Sequence, residues 1–549
     1  MEISIGRNAS NYGVVRPEFV STTLDWWPLH TEAWGNSSVI HADLTHPNLK
    51  AAVRGLSPLF IRIGGSQADS AFYNMSDMST ITSDEATQMA SACEERRQLC
   101  LSMQRWDEVL KFAHDSGARI VFTLAYIRHT RDASGQNDQH DWDSTNARQL
   151  LQYTAQSKYA NTVFGFELGN EVTHKGKVSN TTRLANAYVE LRHIIDELWS
   201  TTSDNHKPRI LGPASTGKST TANLLKVMGK HIDIATYHKY HGGGKDPAIV
   251  KYAKSPSIIQ HPSNFYSTAD AINKYMNGGS PEVWVGEGAM AYNSGRQNLT
   301  DSFVGSFWYV NLLGAISKSP PHTVYCRQAL VGGYYELLSH DSMKARPDYW
   351  IAYLWKKLVG TVAIGPILSP REDSPDEYTF GCCSRPGRDT LIVHAFCAKD
   401  MISNPMFVIT NIDEQAPFQL NITVGTKITK YILTGEHGRR GSRKVVLNGN
   451  QVLTINNGKL PDIIGEDTHD LSVTLPPASI AFVVVHGLQV DQCLQEVGGG
   501  GGVIEVDAVN HPETFFYEVQ RLALLQVVGL LAFLAFIFVV RKKTRRQSR

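Results

Sequence analysis

Eight short apolar runs alternate with amphipathic stretches between Phe19 and Arg327, about one per 40 residues, and this rhythm constrains the fold more than any other feature. The runs are Phe19–Asp25, Phe60–Gly64, Arg119–Leu124, Val163–Leu168, Arg209–Gly212, Ile232–Tyr237, Val283–Gly286 and Thr323–Arg327. Helical patterns such as Arg105–Ala113 and Leu184–Leu198 lie between them. Repeated βα units put helices around a parallel sheet, and eight of them predict a closed (β/α)8 barrel.

Two of these strands carry an acid at or near their end. Phe164-Gly165-Phe166-Glu167-Leu168-Gly169-Asn170-Glu171 follows the fourth strand, and Val283-Trp284-Val285-Gly286-Glu287 closes the seventh. Two carboxyl groups on one barrel rim are what a glycosidic bond needs. One protonates the leaving oxygen, and the other attacks the anomeric carbon. On this reading Glu171 is the acid/base and Glu287, at the strand tip, the nucleophile. Glu167, within its strand, reads as a supporting acid.

The texture changes from about residue 375. Leu391–Phe396, Phe407–Ile409, Phe418–Val424, Lys444–Leu447 and Ile480–Val485 are short strands separated by Gly, Asn and Pro turns, which predicts an antiparallel β-sandwich. The domain reading is residues 1–18 as an N-terminal segment joining the sandwich, 19–370 the barrel and 371–495 the sandwich. A Gly-rich tether (496–521), a transmembrane helix (522–540) and a basic cytosolic tail (541–549) follow. Leu522 to Val540 is 19 residues without a charge, followed at once by Arg541-Lys542-Lys543, which suits a single membrane span. The stretch Ser76 to Cys93 is polar and reads as a surface loop.

The formal net charge is +1, but six Lys and Arg lie in residues 541–549 with no acid among them. Residues 1–540 therefore hold 47 basic and 52 acidic residues, a net of −5, which predicts no nucleic-acid partner. None of the seven cysteines forms two pairs at zinc spacing, so neither metal nor cofactor is expected. The N-terminus has no apolar signal-peptide core, yet six sequons (Asn8, Asn36, Asn74, Asn180, Asn298, Asn421) favour a body facing the extracellular side or the secretory or lysosomal lumen.

One competing motif fits its template. Gly212-Pro213-Ala214-Ser215-Thr216-Gly217-Lys218-Ser219 has P-loop spacing, with Lys218 placed for phosphates. No later apolar run ends in the Asp that Mg²⁺ would need, and the segment falls inside the fifth barrel strand and its loop. A catalytically inactive sugar-binding surface protein is a further reading, weakened by the presence of both acids.

The motifs taken in order resemble one family. Thr23-Leu24-Asp25-Trp26-Trp27, Ile61-Arg62-Ile63-Gly64-Gly65, Glu167 to Glu171, Trp284 to Glu287, Ala291-Tyr292-Asn293-Ser294-Gly295, Arg327-Gln328, and Pro347 to Thr361 are similar to the heparanase-like β-glucuronidases, closer to the plant-type branch. The resemblance covers roughly residues 15 to 495. It implies a retaining hydrolase acting on a glucuronate-containing polysaccharide or proteoglycan, of heparan-sulfate or arabinogalactan type. It also implies that Asp25, Asn170, Tyr240 and Tyr292 line the sugar site, that Gly333 and Tyr335 bind the glucuronate carboxylate, and that Arg327 braces Glu287 and keeps its pKa low. Finally, it implies a disulfide between Cys397 and Cys493; Cys93 and Cys100 are a second candidate pair.

Overall fold

A computed structural model describes residues 2–4, 11–14, 16–27, 31–76, 82–96, 99–130, 140–174, 180–202, 206–254, 268, 271–272, 274–276, 282–319, 321–364, 367–369, 390–399, 404–422, 424–490 and 493. The tether, the 522–540 run and the basic tail lie outside the described residues. No helix among the described residues is long and apolar enough to cross a membrane.

Among these residues eight parallel strands close a barrel in chain order. They are β1 (Val20–Asp25), β2 (Leu59–Gly64), β3 (Ala118–Leu124), β4 (Val163–Leu168), β5 (Arg209–Thr216), β6 (Ile234–Gly243), β7 (Glu282–Tyr292) and β8 (His322–Arg327). A helix follows each: α1 (Pro47–Leu56), α2 (Met103–Asp115), α3 (Thr145–Gln156), α4 (Thr181–Leu198), α5 (Lys218–Met228), α6 (Ile249–Lys254), α7 (Phe303–Ile316) and α8 (Pro347–Leu358). Their starts are chemically marked. Ser102 and Asn180 cap α2 and α4 by accepting the backbone N–H of Arg105 and Arg183, and Pro347 opens α8 where no N–H is needed. The polar stretch 76–93 is corrected. Ser83–Arg96 forms a helix, and the Cys93–Cys100 disulfide joins its last turn to the short strand Cys100–Ser102.

The barrel interior is layered. Phe60 of β2, Phe164 of β4 and Trp284 of β7 pack with ring centroids 4.5 to 5.3 Å apart and plug the lower half. Truncating such a ring to Ala costs about 3–5 kcal/mol. Two residues further along β2 and β6, the same inward face turns polar, and Arg62 and Thr236 begin the layer beneath the site.

The sandwich takes in β9 (Val359–Ile364), which the sequence reading left with the barrel; β9 pairs antiparallel with β10 (Leu391–Ala398). Residues 11–14 pair with β9, and Glu2–Ser4 lies between Ile367–Ser369 and β11 (Phe418–Ile422) of the smaller sheet. Val393, Ala395, Phe407 and Ile409 of the larger sheet face the smaller one. The alternate positions Ile392, Phe396, Met406 and Val408 face the barrel's helices, with Phe396 edge-on to Trp355 at 5.0 Å. Helix α7 is therefore buried on every side, which is why it has no polar stripe. Cys397 and Cys493 form the expected disulfide.

Candidate active site

Glu287 owes its direction to a bulge. Strand β7 continues five residues beyond it, to Tyr292, so this acid is not at the strand tip. Strict alternation would put Glu287 on the face of Val283 and Val285, which look outward into the helix layer. The ladder to β6 pairs Tyr237 with Val285 and then His238 with Glu287, leaving Gly286 as an extra residue. This slip turns the carboxylate into the barrel mouth. Glu171 reaches the same mouth through a tight turn after β4. Gly169 has φ +76°, where a Cβ would stand 2.2 Å from Val172, and Glu171 itself has φ +50°. Its N–H is held by the Ala214 carbonyl at 2.9 Å, and the Asn170 N–H by the buried Asp69 carboxylate at 3.1 Å.

The floor is one guanidinium. Arg62, 1% exposed, donates to Glu167 at 2.6 Å, to Glu287 at 2.9 Å and to the Asn170 side-chain carbonyl at 2.9 Å. Burial works against its charge, and Glu167 and Glu287 more than compensate, so its pKa rises. Glu167 also accepts from Thr123 and Thr236, at 2.9 and 2.8 Å. Burial pushes this acid's pKa up, but Arg62 and the surrounding donors outweigh it and hold the pKa down, which makes Glu167 a fixed anion. The Asn170 carbonyl also takes the Gly65 N–H at 3.2 Å, so its NH₂ is the end left to face a sugar hydroxyl.

Around the two acids, His238 Nδ1 lies 2.7 Å from Glu171, and the Tyr240 hydroxyl donates to Glu287 at 2.6 Å. Burial raises the Glu171 pKa, but the His238 hydrogen bond and charge outweigh it, and the net shift is downward. The donor atoms of Glu171, His238 and Glu287 all lie within 4.8 Å of one another. This trio could also take a metal ion by donor type, but Arg62, Tyr240 and His238 already partner both carboxylates. Removing the phenol in Tyr240→Phe deletes one hydrogen bond to a carboxylate, worth about 1.5–3 kcal/mol, so kcat/KM should fall about tenfold to 150-fold in steady-state assays.

Asp25, at the end of β1, accepts from the Trp27 N–H at 2.8 Å and from Gln328 at 2.7 Å. Burial, then the nearby Glu287 charge, lifts its pKa to about 7 against the lowering effects of Gln328, Trp27 and Arg62. In the unfolded chain this group ionises near pH 4. Between about pH 4 and 7 the folded state thus keeps a proton the unfolded chain has released. The stabilisation is complete below that window and is lost as pH rises through it. Asp25→Asn, which mimics the protonated form, should gain stability relative to the parent as pH climbs from 4 to 7. Urea unfolding at several pH values measures this; parallel curves would refute it.

Asp25, Asn170, Tyr240 and Tyr335 thus surround the two acids, while Tyr292 stands on the rim, 49% exposed and edge-on to Tyr240. Two expectations need correction. Arg327 does not brace Glu287. It pairs with Asp348 of α8 at 2.6 Å and lies over the Trp308 and Tyr309 rings of α7, and Arg62 takes the bracing role instead. The Gly333 N–H does not face a ligand either, because it donates to the Ala33 carbonyl at 2.7 Å. The P-loop reading also fails. Residues 212–216 belong to β5, with the Ala214 N–H on Thr236 and its carbonyl on Glu171, so these backbone groups face the barrel instead of a phosphate.

The profile of glycosyl hydrolase family 79, N-terminal domain, matches residues 2–314. The chain belongs to glycosyl hydrolase family 79. Heparanase-like protein 1 of Arabidopsis thaliana is 32% identical to this family 79 chain over 512 residues, covering 86% of the chain and 91% of the plant protein. The hyaluronoglucuronidase of Hirudo nipponia is 27% identical over 461 residues, covering 82% and 91%. Among solved structures, a 4-O-α-L-rhamnosyl-β-D-glucuronidase from Fusarium oxysporum shares the fold with a TM-score of 0.58 at 15% identity, covering 88% of the family 79 chain and all of that structure. The heparanase-like resemblance carried by the motifs therefore holds, and the chain is a glycoside hydrolase.

Proposed function

We propose that this family 79 hydrolase cleaves β-linked glucuronic acid from glycans by double displacement. The observation that carries the reading is the spacing of the acids, with nearest donor atoms of Glu171 and Glu287 within 4.8 Å. Retaining pairs stand about 5–5.5 Å apart between carboxyl groups, whereas inverting pairs need about 6.5–9.5 Å to admit a water. Glu287, held by Arg62 and Tyr240, attacks the anomeric carbon while Glu171 protonates the leaving oxygen. Water then cleaves the glycosyl-enzyme with Glu171 as base and His238 beside it. Asp25, the Asn170 amide and Tyr335 face the sugar's polar groups. Hydrolysis of an aryl β-glucuronide, followed by proton NMR, tests this: the β-anomer of glucuronic acid should appear first. An α-anomer would refute the retaining step, and no turnover by folded protein would favour the inactive sugar-binding reading.

The same proposal places the catalytic body outside the cytosol, tethered through residues 522–540. Asn36, Asn180, Asn298 and Asn421 are exposed and open to glycosylation, which supports that side of the membrane. Glycosidase-sensitive mobility together with resistance to alkaline extraction checks it.

A further inference from the structure

We infer that the cleft is closed beyond the sugar that carries the scissile bond, so that the enzyme removes terminal glucuronic acid and does not cut within a chain. This rests on the proposed roles of Glu171 and Glu287. The acid stands where the leaving group departs, so the leaving group lies over β4. The sugar ring extends from the anomeric carbon in the opposite direction. In a closed barrel of eight strands in chain order, that direction is toward β8 and β1. The polar groups waiting there are Asp25 and Gln328, joined at 2.7 Å, with Tyr335 beside them.

Directly behind those groups, three loops are tied to one another in a triangle. The Trp34 indole N–H of the β1 loop donates to Ser294 Oγ of the β7 loop at 2.8 Å. The Tyr334 N–H of the β8 loop donates to the Ser294 carbonyl at 2.7 Å, and the Gly333 N–H to the Ala33 carbonyl of the β1 loop at 2.7 Å. Ser294 holds φ +64° after Asn293 at φ +57°; Asn visits this left-handed region readily, whereas Ser adopts it when its surroundings impose it. The wall is tightly packed. Trp34 is 4% exposed and meets the Tyr335 ring edge-on at 6.1 Å. A single methyl added at Gly332 would lie 2.2 Å from Ser37 Oγ and 2.5 Å from the Trp34 ring. Loops packed this closely do not part readily to admit a further pyranose. The Glu171 side chain, by contrast, is 18% exposed. Among the described residues, the β8–β1 end of the cleft is shut behind Tyr335 while Glu171 keeps a solvent-facing edge, the geometry of a terminal-residue hydrolase.

The test compares two aryl β-glucuronides with the purified full chain, one with a free 4-hydroxyl and one carrying an added sugar there. The first should turn over, and kcat/KM for the second should be lower by at least about 10²-fold, because the added ring collides with Trp34. Trp34→Ala and the milder Ser294→Ala should narrow that ratio by recovering the extended substrate. Comparable kcat/KM for both substrates in the parent overturns the inference while leaving the glucuronidase reading intact. Turnover of neither substrate by folded protein overturns that reading and this inference with it.

Discussion

Glu287→Gln should abolish hydrolysis of an aryl β-glucuronide, with kcat falling by about 10⁴–10⁶, the range seen when a covalent nucleophile is removed from a set that acts as a unit. The substitution keeps the side-chain shape and the Tyr240 contact, and Arg62 retains Glu167 as its partner, so the loss in folded protein reports chemistry. Glu171→Gln should behave differently. For a poorly activated leaving group the loss is about 10²–10⁴, the contribution of general acid–base catalysis. For a highly activated phenol, which needs no proton to depart, the first step survives and breakdown of the glycosyl-enzyme becomes slow, so a burst of released phenol appears. Added azide should then restore turnover by attacking in place of the unassisted water. Equal losses in both variants across leaving groups, with no azide effect, would reverse or remove the assigned roles.

Arg62→Ala is expected to be the most destabilising single change in the site. It leaves Glu167 and Glu287 without their shared cation in a buried setting, and breaking such a pair costs about 3–5 kcal/mol. The denaturant midpoint should drop accordingly, with activity lost in parallel. Arg62→Lys separates the two effects. The ammonium keeps the charge, and with it much of the stability, but a compact point charge cannot serve Glu167, Glu287 and Asn170 from one rigid fork. Its kcat should therefore fall although the protein folds. An unshifted midpoint in Arg62→Ala would show that the network contributes nothing to stability.

Much of this site was legible in the chain because strands carry a strict side-chain period. All eight barrel strands overlap the apolar runs that announce them, although β5, β6 and β7 run four to six residues further, and both acids were placed by their neighbours. Arg62 carried its own signal. An arginine in the middle of Leu59-Phe60-Ile61-Arg62-Ile63 must be paired, since an apolar strand interior has no water to offer it. His238 was equally accessible, because Tyr240 two residues later shares its face of β6. Arg327 misled because it closes an inward-facing strand, and only the tertiary structure reveals Asp348 on α8 drawing it outward. The reach of β7 past Glu287 was hidden by Gly286, which reads as a strand end and instead forms the bulge. The helix at Ser83–Arg96 lacks a clear apolar stripe, so periodicity does not announce it.

The sandwich is completed by residues 2–4 and 11–14 as well as by the strands from Val359 onward. Val14 pairs with Val362, and Ile3 pairs with Ile422. At a synthesis rate of about 5–20 residues per second, the opening strands leave the ribosome roughly 350 residues, or about 20–70 s, before their partners exist. Seven of the eight barrel ladders join strands close in sequence, and the eighth, Val20 with Tyr325, closes before β9 is made, so the barrel can assemble while the amino-terminal edge is still waiting. A ribosome that stalls before residue 359 would leave a barrel trailing strands with no sheet to join, a target for quality control that an intact catalytic mouth would not reveal.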